Sequence, residues 1–119
     1  MLLTKFNVLL CAAALAPAAV AEENWVRNCG LPDLRNCADI IPELGKCYWL
    51  DVWKGGNSFL IGENFNGKCT WYSAGNCQGY ATKAFTPGQG ANAFEAFAAI
   101  LPKYSKKNVR AGGYKCVSI

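Results

Sequence analysis

No histidine occurs among the 119 residues. That absence removes imidazole general acid–base pairs, Ser-His-Asp and Cys-His triads, and histidine metal sites. Charged residues are sparse at 17%, and methionine occurs once. No apolar run approaches the roughly 20 residues that a membrane-spanning helix requires. No Asn-x-Ser/Thr triplet exists, so N-linked glycosylation is not expected. No two cysteines have CxxC spacing, which with the missing histidine argues against zinc. Carboxylate-only chemistry of the glycosidase kind stays formally open. Yet Asp33, Asp39, Glu43, Asp51, Glu63 and Glu95 stand singly, and Glu95 already has a use in helix capping. The sequence points to a protein that is not an enzyme and that uses no cofactor and no metal.

The first residues present a secretory signal. Lys5 precedes an apolar run from Val8 to Leu15, Pro17 breaks the run, and Ala19-Val20-Ala21 has the small-x-small pattern of a cleavage site. Cleavage after Ala21 predicts a mature domain of residues 22–119 and a secreted, extracellular location. It also removes Cys11. Seven cysteines become six, namely Cys29, Cys37, Cys47, Cys69, Cys77 and Cys116, an even number that reads as three disulfides. Of the fifteen possible pairings, the spacing favours Cys69–Cys77 across a hairpin and Cys47–Cys116 between the first and last strands. That choice leaves Cys29–Cys37.

No composition break divides residues 22–119, so one domain is expected. RNC occurs twice, at 27–29 and 35–37. Pro32, Pro42 and Gly45 punctuate this part, predicting loops with at most a helical turn or two near 33–40. CYWLDVW (47–53) reads as a strand with Tyr48, Leu50 and Val52 on one side and Trp49, Asp51 and Trp53 on the other. Further extended segments are expected at 58–61 and 69–73, with a final strand in VRAGGYKCVSI broken at Gly112-Gly113. One helix is predicted at about 92–101. Asn92 is its cap, Glu95 completes a capping box, Phe94, Phe97 and Leu101 share a face, and Pro102 ends it. The expected fold class is α+β, a small disulfide-stapled antiparallel sheet with one short helix.

Binding is easier to motivate than catalysis. Four tryptophans and five tyrosines are many for a chain this short. Trp49, Trp53, Trp71 and Tyr72 are the candidate contacts, because exposed aromatics stack on sugar rings or anchor protein interfaces. The competing reading places them in the core, since a small domain must bury what large apolar groups it has. From residue 103 onward the chain holds five cations and no anion. Lys103, Lys106, Lys107 and Arg110 are therefore candidates for an anionic membrane surface, against the alternative of a solvated basic face. No nucleic-acid partner is expected.

FLIGENFNGKCTWYSAGNC (59–77) resembles the first half of a βγ-crystallin Greek-key motif, of the kind also found in killer-toxin-like proteins. Phe59 opens it, Phe65-Asn66-Gly67 supplies aromatic-x-Gly, and Ser73 stands in the later turn. The resemblance implies a folded hairpin with a left-handed corner at Gly67 and Phe65 as its cover. Gly62 and Gly75 read as further corners. The acidic pair of that family's calcium loops is missing, so no calcium is expected. In size, signal and cysteine content the whole chain is similar to small cysteine-rich secreted fungal effectors. This implies a protein that binds a host or competitor target, a protein receptor or an anionic membrane, in the manner of an effector, toxin or antimicrobial protein. The alternative is a lectin-like module for cell-wall polysaccharide.

Overall fold

The computed structural model describes residues 23–51, 55–98, 100 and 109–119. The segment 1–21, expected from the sequence to be a secretory signal, and Trp53, Lys103, Lys106 and Lys107 lie outside the described residues. Among the described residues, seven strands form two antiparallel sheets, with one short helix and three disulfides. The α+β class read from the sequence is thus the class observed, with its strands divided between two sheets.

The two RNC copies form a hairpin, where loops and a helical turn were expected. β1 (Val26–Leu31) pairs antiparallel with β2 (Arg35–Ile40), and the register sets Cys29 opposite Cys37 and Arg27 opposite Asp39. A disulfide joins the first pair, and the Arg27 guanidinium donates to both Asp39 oxygens at 2.7 and 2.9 Å in the second. At the tip, Asp33 (φ 61°) and Leu34 (φ 57°) are left-handed, which costs energy for a residue such as leucine. Tertiary hydrogen bonds offset that cost. Asp33 N donates to Asn92 Oδ1 at 2.7 Å and Leu34 N to Ser58 Oγ at 3.0 Å. No local sequence signal announces those partners, because both belong to distant strands.

β4 (Ser58–Ile61) pairs with β1, and β6 (Gly90–Asn92) with β4, completing a sheet in the order β2-β1-β4-β6. The second sheet has the order β3-β7-β5, from β3 (Cys47–Trp49), β7 (Gly113–Val117) and β5 (Lys68–Tyr72). β3 stops at Trp49, short of the expected 47–53. Isolated bridges from Phe85 to Cys69 and from Ala81 to Tyr72 cover the outer side of β5.

Helix α1 spans Ala93–Ala98 among the described residues. The capping-box reading is corrected. Asn92 ends a strand, and its side chain is spent on Asp33, accepting from N and donating to Oδ1 at 3.0 Å. The buried face is Ala93 and Phe97, Phe94 is half-buried, and Leu101 lies outside the described residues.

Between the sheets, four rings form a continuous stack. Phe59 of β4 lies over Trp71 of β5 (3.8 Å between centroids), Trp71 over Tyr114 of β7 (5.3 Å), and Tyr114 over Tyr48 of β3 (5.4 Å). Phe85 meets Phe59 and Trp71 edge-on. Such ring pairs each add about 0.5–1.5 kcal/mol beyond the apolar area they bury. Trp71 Nε1 donates to Asn28 Oδ1 at 2.8 Å, so the indole crosses the core with its polar atom satisfied. Tyr114 differs. Burial first, then neighbouring Tyr48, push its hydroxyl well above the usual tyrosine range, and Asn28 offsets part of this. Asn28 Oδ1 is already taken by Trp71, and the phenol oxygen has no hydrogen-bond partner among the described residues.

Two of the three expected disulfides are corrected. Cys29–Cys37 forms as expected, but the others are Cys47–Cys77 and Cys69–Cys116. The reason is strand order. β5 pairs with β7, placing Cys69 directly opposite Cys116, so residues 69–77 close no hairpin. Gly67 is corrected as well. Its backbone is not left-handed, and what demands glycine there is crowding, since a Cβ would stand 2.8 Å from the Phe65 ring and 2.9 Å from Val117 O.

Candidate functional site

The outer face of the β3-β7-β5 sheet gathers the exposed aromatic chemistry. Trp49, Gly113 and Tyr72 occupy one row across the three strands. On the inner face, the neighbouring row is Tyr48, Tyr114 and Trp71, all part of the core stack. The two-residue alternation of a strand therefore sends Trp49 out while Tyr48 goes in. Trp49 is 73% exposed, Tyr72 is half-buried, and Trp71 is fully buried.

Between Trp49 and Tyr72 the row has no side chain, and a loop fills the space. After Ser73 the chain folds over Gly112-Gly113. A Cβ at Gly112 would stand 2.8 Å from Ser73 O, and one at Gly113 2.8 Å from Gly75 O. The glycine pair read as a bulge or corner is instead a seat for another backbone. Gly75 likewise has no room for a side chain, because a Cβ there would collide with the Trp49 indole. Cys47–Cys77 ties this loop to β3, with Cys77 itself left-handed at φ 60°. Ser73 secures the other end, its N donating to Tyr80 O and its Oγ accepting from Tyr80 N, both at 2.8 Å. The result is a fixed loop, Ser73–Gly79, with Trp49 packed on it and Tyr80 (50% exposed) at its return.

The candidate residues thus separate. Trp49 and Tyr72 share a face, Trp71 is a core residue, and Trp53 lies outside the described residues. Of the four basic candidates only Arg110 is described. It is half-buried and donates to Gly55 O at 2.6 Å, which gives it a structural use. Tyr80 was missed by sequence reading, because its pairing with Ser73 depends on the loop closing. Trp25 was also passed over. It is half-buried with the Arg27 guanidinium 4.5 Å from its ring centroid, and the same guanidinium pairs with Asp39. Strand periodicity through Trp25 and Arg27 was the available signal.

The carboxylates are not all isolated. Asp33, Asn92 and Glu95 line one shallow cleft of about 320 Å³, with Leu34, Leu60 and Gly90. Asp33 is already engaged with Asn92 in pinning the hairpin tip. No group of three or more metal-ligating side chains exists among the described residues, and no described helix is long and apolar enough to cross a membrane. Comparison with protein-family models, with curated protein sequences and with solved structures finds no match for this chain. Fold and staples define the class, a small disulfide-stapled α+β domain, and three disulfides at this size are compatible with an extracellular location.

Proposed function

We propose that the protein is a secreted, non-catalytic binding module that engages a host or competitor target through the outer face of the β3-β7-β5 sheet. One observation carries this reading: Trp49 is left out of the core at 73% exposure, yet it is seated on Gly75 beside a disulfide-clamped loop. A large aromatic held rigidly in solvent loses little entropy on binding, and tryptophan is the residue most enriched at interface hot spots. The neighbouring loop, SAGNCQG followed by Tyr80, combines Ser, Gly, Asn and Tyr, the composition that antibody-like binding surfaces use. These features favour a protein target. The same Trp49, with Tyr72 beside it, supports the second reading, stacking on cell-wall polysaccharide.

Pull-down of the oxidised protein on insoluble chitin and glucan, beside binding to intact target cells, tests both. Cell binding that Trp49→Ala abolishes, without retention on polysaccharide, is expected. Polysaccharide retention lost in Trp49→Ala would favour the second reading. Binding that Trp49→Ala leaves unchanged, with the fold intact, would refute both.

A further inference from the structure

The two sheets divide the charge of the domain. Strands β3, β5 and β7 hold Lys68 and Lys115 and no carboxylate. Among the described carboxylates, Glu23, Asp33, Asp39, Glu63 and Glu95 belong to the other sheet or stand a few places from its strands. The other two, Glu43 and Asp51, stand in the loops before and after β3. Alternation puts both lysines on the outer face, because their neighbours Cys69 and Cys116 are buried and joined on the inner one. Lys68 is exposed and Lys115 half-buried. Among the described residues neither lysine forms an ion pair.

The register orders this face in rows. Trp49, Gly113 and Tyr72 form the aromatic row, Cys47, Lys115 and Thr70 the next, and Val117 and Lys68 the one after. Residues on one face of a strand recur about every 7 Å, so the two cations follow the aromatic row at successive steps of that length. Asp51 follows Leu50, whose N still donates to Gly112 O, and so leaves β3 at the end away from the lysines.

We propose that the outer face takes an acidic, extended segment of a protein target, with an apolar side chain on the aromatic row and carboxylates on Lys115 and Lys68. This rests on the reading of that face as the binding surface, and it names the chemistry of the partner. An extended segment repeats its side chains at the same interval of about 7 Å, so acidic residues two and four places from the apolar one meet the two lysines. The lysines give up no internal ion pair when the target arrives, and opposite charge across the interface speeds encounter and fixes register. A basic segment would meet like charge there, which costs affinity. An anionic membrane offers charge without a fixed spacing from an apolar side chain, so the row order favours a protein.

Panning a phage-displayed random peptide library on the immobilised, oxidised protein tests this, followed by titration of the selected peptides. Enriched peptides are expected to carry Asp or Glu at alternate positions beside an apolar residue. Their affinity should fall about tenfold in the double variant Lys68→Glu/Lys115→Glu, and severalfold as salt rises from about 50 to about 500 mM. Lys68→Gln/Lys115→Gln, which removes the charge without reversing it, should lose part of the affinity and serves where the reversed variant folds poorly. Enriched peptides without acidic residues, or acidic peptides that both double variants bind unchanged, would overturn the proposal. If Trp49→Ala still abolishes that binding, the outer face stands as the binding surface and only the acidic partner falls. Enrichment of no peptide, with retention on phosphatidylserine vesicles or polygalacturonate instead, would also overturn it.

Discussion

The indole Nε1 of Trp71 donates to Oδ1 of Asn28 at 2.8 Å, joining β5 to β1 through the middle of the core. Both residues are buried, so neither atom has water as an alternative partner. Asn28→Ala would strand the indole N–H, a loss of about 1–3 kcal/mol on top of the removed side-chain packing. Chemical denaturation should show the lower midpoint, and an unchanged midpoint would mean that the indole finds another acceptor.

Tyr114 carries the opposite expectation. Its buried hydroxyl has no partner among the described residues, so Tyr114→Phe should leave stability unchanged or raise it. The same residue makes a pH prediction. The native hydroxyl titrates above its unfolded value of about 10, so the unfolded chain releases its proton first. Its contribution is whole below that pH and is lost as pH rises toward the native value. The stability of Tyr114→Phe should therefore fall less steeply on the alkaline side, measured by denaturation between about pH 8 and 11.

Non-reducing peptide mapping should recover Cys47–Cys77 and Cys69–Cys116, never Cys69–Cys77. Removing Cys69–Cys116 as a double alanine variant should cost about 4 kcal/mol from its long loop alone, and more from the vacated core site. Removing Cys47–Cys77 has a comparable loop term of about 4 kcal/mol, but it lies over the outer face and should chiefly free the Ser73–Gly79 loop. Amide exchange confined to that loop would mark the difference.

Trp49→Ala should change stability by no more than about 0.5 kcal/mol, because the side chain is mostly in solvent. Gly75→Ala should do more harm, since its methyl collides with the indole and lifts either the loop or the ring. Near-ultraviolet circular dichroism would report the displaced tryptophan. A Gly75→Ala protein with the same spectrum would show that the ring has no fixed seat.

Much of the fold was legible where local pattern and tertiary demand agree. The extended segments expected at 58–61 and 69–73 are observed as β4 and, one residue earlier, as β5, and alternation alone puts Tyr48 and Trp49 on opposite faces of β3. The hairpin at 26–40 was not legible. Proline and repeated polar residues suggest loops there, and the left-handed tip is held by Ser58 and Asn92, which are 24 and 59 residues away. Asn92 was misread for the same reason, because a cap and a long-range hydrogen bond require the same amide. Trp71 and Trp49 are the same residue type in similar strands, and only the facing sheet decides which one is buried.

The residue types by themselves determined that this is a stapled domain without histidine chemistry, since those conclusions depend on which atoms exist. Which cysteines meet, which tryptophan faces solvent and why Gly67, Gly75, Gly112 and Gly113 admit no side chain were decided only by the tertiary structure. Each depends on strand order, and strand order is set by contacts between residues far apart in the chain, whose spacing carries no local trace.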